Sequence, residues 1–184
     1  MTPEQFALVC EANPEAVLEL AADGQLIRLT PTGGETGARN AHLCTRLQIW
    51  ARSQGGWDVF DSSTGFRLAD GSVLSPDASV VRLERWQALS AGQRRGLPPL
   101  CPDLVVELAS ASDGGPWGAE ALLRKLAAYQ ANGARLGWLL FPDERAVEIW
   151  RPGAEPQRLE NAEVLEGETV LPGLRLELTE IWAV

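Results

Sequence analysis

Pro102-Asp103-Leu104-Val105-Val106-Glu107-Leu108-Ala109-Ser110 is the stretch on which the reading of this chain turns. Leu104 to Leu108 is its most strand-like run. The apolar continuity, without the alternation of a half-exposed strand, predicts a central strand covered on both faces. Glu107 stands inside that run, where an ionised carboxylate is costly unless paired or bound to a metal. Downstream, a polar loop from Ser110 to Gly115 leads into a helix from Trp117 to Ala131. Leu122, Leu126 and Tyr129 line the buried face of that helix, and Gly133 suits its C-cap. Leu136 to Phe141 reads as a second buried strand, turned by Pro142-Asp143-Glu144 into a third from Ala146 to Trp150.

Upstream, residues 3–12 predict a short helix capped by Thr2. Val17–Leu20 and Leu26–Leu29 alternate around Asp23-Gly24, a hairpin signal. A helix is expected to start near Glu35 and to end at Gly55-Gly56. Leu43, Leu47 and Trp50 fall on one face of it, and Glu35, Arg39, His42 and Arg46 form a polar stripe on another. Strands are expected at Trp57–Phe60, at Phe66–Leu68 and from Asp77 through Val81. A short helix follows from Leu83 to Leu89 with Trp86 inward, and Arg94-Arg95-Gly96 with Pro98-Pro99 reads as an exposed loop. The tail holds short strands near Val170 and over Leu174–Leu178. With no linker or repeat, the expectation is one mixed α+β domain over residues 1–184. It has a central mixed sheet flanked by helices, an N-terminal hairpin and additional C-terminal strands.

Composition narrows the function. The 184 residues suffice for a sizeable core. A net charge of −9 argues against tight non-specific binding to nucleic acid. The charge is uneven: residues 143–184 hold 10 acids and 4 arginines (−6), leaving 15 acids and 12 basic residues (−3) before them. No stretch approaches a membrane span, and the N-terminus lacks a signal-peptide pattern, so a cytoplasmic protein is expected. Cys10, Cys44 and Cys101 are too scattered for a zinc site. A single histidine, His42, excludes a two-histidine mechanism. Ser62-Ser63-Thr64 lies in no nucleophile elbow, and Gly33-Gly34 lacks the lysine of a phosphate-binding loop.

Lys125 is the only lysine; the other 15 basic residues of the 16 are arginines. Its compact ammonium can sit beside a water or a phosphate oxygen more readily than a planar guanidinium. Asp77 opens a strand after Pro76, and Glu107 ends another. If these strands are neighbours, both carboxylates emerge at one end of the sheet. Two carboxylates, a backbone carbonyl and waters make a hard oxygen site for Mg²⁺ or Mn²⁺. Such an ion polarises a phosphoryl oxygen and acidifies a bound water. Each residue also has a structural reading. Asp77 can cap a turn, Glu107 can pair with a buried arginine, and Lys125 can snorkel to solvent.

The ordered motifs Ser-Pro-Asp77, Pro-Asp103-Leu-Val-Val-Glu107-Leu-Ala-Ser, Lys125-Leu-Ala-Ala-Tyr129 and Gly133-Ala-Arg-Leu-Gly-Trp-Leu resemble the Uma2 endonuclease family. That family, earlier a domain of unknown function, belongs to the PD-(D/E)XK, restriction-endonuclease-like superfamily. The resemblance covers nearly the whole chain, from Pro31-Thr-Gly-Gly-Glu35 to Leu171-Pro-Gly173. It implies a restriction-endonuclease-like sheet flanked by helices, a divalent metal and hydrolysis of a nucleic-acid backbone, with DNA the expected substrate. It also implies metal binding by Asp77 and Glu107, helped by the Leu108 carbonyl. The superfamily pattern places a lysine two residues after the glutamate. Ala109 stands there, and Lys125 on the next helix is the natural replacement. Glu35 resembles a helix glutamate that some members add to the metal site, although an acid at a helix N-terminus is favourable by itself. Asp61 and Asp113 are loop acids near the expected site; Arg39, Arg94 and Arg95 are candidates for phosphate contact, and a homodimer would pair two single-strand cutters. A non-catalytic binding module on the same scaffold is the alternative, supported by the acidic charge and by Ala109.

Overall fold

The computed structural model describes residues 1–110 and 118–184. Asp113 and Trp117, with most of the expected 110–115 loop, lie outside the described residues. Helix α1 (Pro3–Ala12) starts with a reciprocal cap: Thr2 Oγ1 accepts the Gln5 N–H at 3.3 Å and Gln5 Oε1 accepts the Thr2 N–H at 2.9 Å. Strands β1 (Val17–Leu20) and β2 (Leu26–Leu29) form the expected hairpin. Its loop is longer than a two-residue turn, because the Ala21 N–H closes on the Gln25 carbonyl at 2.9 Å. Helix α2 (Gly34–Gln54) ends at Gly55 and Gly56, whose φ of 69° and 77° suit residues without a Cβ.

Next come β3 (Trp57–Asp61), β4 (Phe66–Arg67), β5 (Val73–Leu74) and β6 (Ala78–Arg82), then α3 (Leu83–Gln87) and α4 (Ala91–Arg95). The sequence reading expects a loop where α4 forms. Ser90 and Gln93 make a second reciprocal cap that satisfies the first N–H groups of this turn. After β7 (Leu104–Leu108), helix α5 (Gly118–Ala131) crosses over to β8 (Leu136–Phe141). A short 3-10 turn (Pro142–Glu144) leads to β9 (Ala146–Trp150), β10 (Gln157–Glu160), β11 (Val164–Glu166), β12 (Arg175–Glu177) and α6 (Thr179–Trp182). No strand forms at Val170, which lies in a turn between β11 and β12, and the 164–177 hairpin closes with Leu165 opposite Leu176.

The main sheet has six strands in the order β10-β9-β8-β7-β6-β3. β7 and β8 are parallel, which requires the α5 crossover; the other pairs are antiparallel. β7 is central and buried along its whole length, as its apolar run predicts. One face is covered by α2, α6 and the β11–β12 hairpin, where Leu43, Leu47 and Ile181 meet Val106 and Trp138. The other face is covered by α5, where Leu126 and Tyr129 meet Val105 and Leu139. Strand alternation places Val106 and Leu108 toward α2, and Val105 and Glu107 toward α5.

Gly137 sets how near α5 lies. A Cβ there would stand 2.7 Å from Leu126 Cδ1 and 3.2 Å from Trp150 Cβ, so only glycine admits this approach. A smaller sheet, β2-β1-β5-β4, joins Leu20 to Val73 and packs under Phe6 of α1. Among the described residues no helix is long and apolar enough to cross a membrane.

Candidate active site

Antiparallel pairing of β6 with β7 sets Ala78 opposite Val106, so the start of one strand meets the end of the other. The ladder stops at that pair, and the side chain of Asp77 takes over. Its Oδ2 accepts the Leu108 N–H at 2.8 Å, and its Oδ1 accepts an Asn40 Nδ2–H at 3.0 Å. The Ala109 N–H is directed to the Leu140 carbonyl on β8. Alternation therefore turns both the N–H and the C=O of Leu108 the other way, to the Asp77 edge.

Glu107 points to the α5 face and is 2% exposed. Lys125 arrives from α5 and donates to the Ser75 carbonyl at 2.8 Å. Its Nζ lies 2.9 Å from Glu107 Oε1 and 2.9 Å from Glu19 Oε1. Glu19, on β1, is as buried as Glu107, and its Oε1 also accepts the Ser75 N–H at 2.8 Å. Among the described residues Glu107 Oε1 meets only the ammonium, at ion-pair distance, whereas Glu19 Oε1 has a second donor in the Ser75 N–H.

Two carboxylates, Glu107 and Glu19, thus share the Lys125 ammonium, and Asp77 lies at the next residue of the Glu107 strand. Burial pushes the Glu107 carboxyl up to about 8; Lys125 pulls it down, and Asp77 and Glu19 push it further up. Burial alone would lower the Lys125 ammonium, but Glu107 and Glu19 outweigh it and hold it above its ordinary value. One charge balance satisfies both directions: Lys125 stays protonated, and the most enclosed carboxylate competes for a further positive charge. Tyr129, one turn beyond Lys125, is fully buried with no hydrogen-bond partner for its hydroxyl among the described residues. Burial, then the nearby Glu107 and Glu19, keeps that phenol neutral.

The donor set suits a hard divalent cation. Asp77 and Glu107 offer carboxylate oxygens, the Leu108 carbonyl lies on the same edge, and the net charge invites a cation. Asn40 Oδ1, beside Asp77, is a buried oxygen without a partner among the described residues. Among those residues no three His, Cys, Asp or Glu side chains converge as a ligand group. The set is two carboxylates, with the third, Glu19, committed to Lys125 and Ser75.

Other expected residues lie elsewhere. Glu35 is exposed at the start of α2, 3.9 Å from Arg39. Arg39 is buried; its Nε donates to the Ile181 carbonyl at 3.1 Å and its second terminal nitrogen to the Val184 carbonyl at 2.7 Å. His42 lies 3.7 Å and Arg46 2.7 Å from Glu180. The polar stripe of α2 therefore docks α6, which corrects the phosphate-contact reading of Arg39. Asp61 Oδ1 accepts from Ser63 N–H and Oγ–H, a turn contact. Arg94 lines a shallow cavity of about 320 Å³ with Phe60, Ser63, Thr64 and Trp86. Arg95 is exposed.

Sequence reasoning missed Glu19 and Asn40. Asn40 carried a signal: it falls on the stripe of Leu43, Cys44 and Leu47, and an amide on an apolar stripe wants a buried partner. Glu19 had a weaker one, an acid between two leucines in a strand that reads as half exposed.

Asp77 and Glu107 thus lie at abutting strand ends of a mixed sheet, with Lys125 beside Glu107. The family model described as Uma2, putative restriction endonuclease, matches residues 3–179, so the chain belongs to that family. A solved structure, described as a putative nuclease belonging to DUF820 from Anabaena variabilis ATCC 29413, is similar in fold. Its TM-score is 0.81 at 19% identity, covering 100% of this chain and 98% of that one. No relative among the curated proteins matches.

Proposed function

We propose that this chain is a divalent-metal-dependent endonuclease that hydrolyses the phosphodiester backbone of DNA. The observation that carries the reading is the part-buried Lys125 ammonium, 2.9 Å from Glu107, with Asp77 bonded to the very next residue of the same strand. Asp77, Glu107 and the Leu108 carbonyl would hold Mg²⁺ or Mn²⁺. When bound, the ion supplies Lewis-acid polarisation of a phosphoryl oxygen and a more acidic water. Lys125, held protonated, does not remove the proton from that water. It orients the nucleophile and offsets charge gathering on the phosphate oxygens. Glu35, exposed beside Arg39, ranks below the other three.

The test is cleavage of single-stranded DNA, double-stranded DNA and RNA with Mg²⁺, Mn²⁺ or EDTA, comparing the natural chain with Asp77→Ala and Lys125→Ala. Metal-dependent cutting lost in both variants supports the reading. Cutting that survives in both places the activity outside this site, and no cutting by the folded natural chain favours a binding module. A homodimer would bring two such centres to the two strands of a duplex; sedimentation showing only monomer would remove that idea.

A further inference from the structure

We infer that Glu19 is a positioning residue, which keeps Lys125 in the centre when Glu107 turns to a divalent cation; this rests on the nuclease reading above. The ammonium sits among three oxygens within 2.9 Å, from Glu107, Glu19 and Ser75. A cation on Glu107 weakens the attraction of that carboxylate for Lys125 and repels the ammonium directly. Lys125 reaches the site on a flexible four-carbon stem from α5. Its side chain is 15% exposed, so a path to solvent exists. A second anion is needed if the lysine is to stay.

Glu19 is built for that role. Its Oε1 is fixed from the far side by the Ser75 N–H at 2.8 Å, while the Ser75 carbonyl takes the lysine. Among the described residues Glu107 Oε1 has only the ammonium, whereas Glu19 Oε1 is also held by the Ser75 N–H, which makes Glu107 the partner that lets go. Glu19 belongs to β1, in the small sheet, so that sheet becomes part of the catalytic centre. The same carboxylate steadies Ser75, two residues before Asp77.

The test is a double-mutant cycle on the full chain with Glu19→Gln, Lys125→Met and the pair, reading kcat and KM for DNA cleavage and Mn²⁺ affinity by calorimetry. Glu19→Gln is expected to lower kcat by about 10- to 100-fold, the scale of a misplaced catalytic group. KM should stay within about twofold, and Mn²⁺ affinity should fall far less than in Asp77→Ala. The double variant should be no slower than Lys125→Met alone. Unchanged kcat in Glu19→Gln, or losses that multiply in the double variant, would overturn the assignment. So would a loss of Mn²⁺ affinity matching that of Asp77→Ala, which would make Glu19 a metal ligand. If Glu19→Gln does not fold, Glu19→Asp, which keeps the charge but shortens its reach, gives the same signs with smaller losses. A natural chain that cuts nothing with either metal refutes the nuclease reading itself, and in that case every arm is silent.

Discussion

Replacing Lys125 with Met removes the ammonium that Glu107 and Glu19 share and keeps the length of the stem. Breaking a buried ion pair by deleting one partner costs about 3–5 kcal/mol, because the remaining charge is uncompensated. Two buried carboxylates lose their partner here, which argues for the upper part of that range once both are ionised. Glu107 has an escape at lower pH. Its carboxyl stands at about 8 with Lys125 beside it, and deleting the ammonium pushes it higher. Near pH 6 it is protonated in both proteins, and the loss is confined to the Glu19 and Ser75 contacts. Near pH 9 the natural protein carries the ionised, paired Glu107, which the variant cannot hold. The destabilisation should therefore grow with pH. For a chain of this size, each kcal/mol shifts the midpoint by about 2–4 °C, so about 8–20 °C is expected at pH 9. Thermal melts in EDTA at pH 6 and pH 9 provide the assay. A loss below about 1 kcal/mol, equal at both pH values, would show the ammonium behaving as an exposed ion pair and would refute the reasoning.

Glu107→Gln should flatten the pH dependence of stability. A carboxyl raised from 4.5 to about 8 on folding contributes stability that is present below its ordinary value and lost as pH rises through 8. The full swing is on the order of 5 kcal/mol, and denaturant titrations in EDTA at pH 5 and pH 9 should show a smaller difference for the variant than for the natural chain. Gly137→Ala drives a methyl into Leu126 and should cost about 1–3 kcal/mol; because α5 is displaced, activity should fall with stability, and a neutral result would mean that α5 yields freely. Arg39→Met leaves the Ile181 and Val184 carbonyls without their donor and should cost about 1–3 kcal/mol. Hydrogen exchange should rise over residues 179–184, and DNA cleavage should stay unchanged at a temperature where the variant is folded.

The legible parts of this fold are those where one residue property decides the environment. Leu104–Leu108 is apolar without alternation, and only a doubly covered strand tolerates that; Leu122, Leu126 and Tyr129 repeat at helical spacing and could face only the sheet. Glu107 and Lys125 were legible as exceptions, a carboxylate in an apolar run and a lone lysine in an arginine-rich chain. Asp77 was legible through its place at a strand start after Pro76. Edge elements were less legible, because their register depends on neighbours distant in sequence. β5 is two residues long and exists because Leu20 and Phe66 flank it, and β10 is mostly exposed with no apolar pattern. The polar stripe of α2 was visible, but not what it docks: that Arg39 reaches residues 181 and 184 is a contact across more than 140 positions. Glu19 was hidden for the same reason. Its partners, Ser75 and Lys125, lie on elements that meet β1 only in the folded chain.

Two buried acids flank the run of β7, Asp103 just before it and Glu107 near its end, and their surroundings separate structure from chemistry. Asp103, 1% exposed, faces an Arg85 guanidinium at 2.8 Å and accepts the Arg82 N–H at 2.9 Å. Arg85 also donates to the Cys101 carbonyl, so that guanidinium bridges two acceptors of one segment. A buried carboxylate with its own cation and a backbone donor holds its charge without a further ligand. Glu107 has no such settlement. Its cation is divided with Glu19, a third carboxylate stands one residue away, and its carboxyl is driven up. Evolution could have served Glu107 as it served Asp103, with a single arginine. Leaving it short of positive charge costs stability in the empty protein, and such a cost is retained where a ligand repays it. On the nuclease reading proposed above, Glu107 is the acid of this segment that takes the cation, because it divides its ammonium with Glu19 while Asp103 has a guanidinium and a backbone donor of its own.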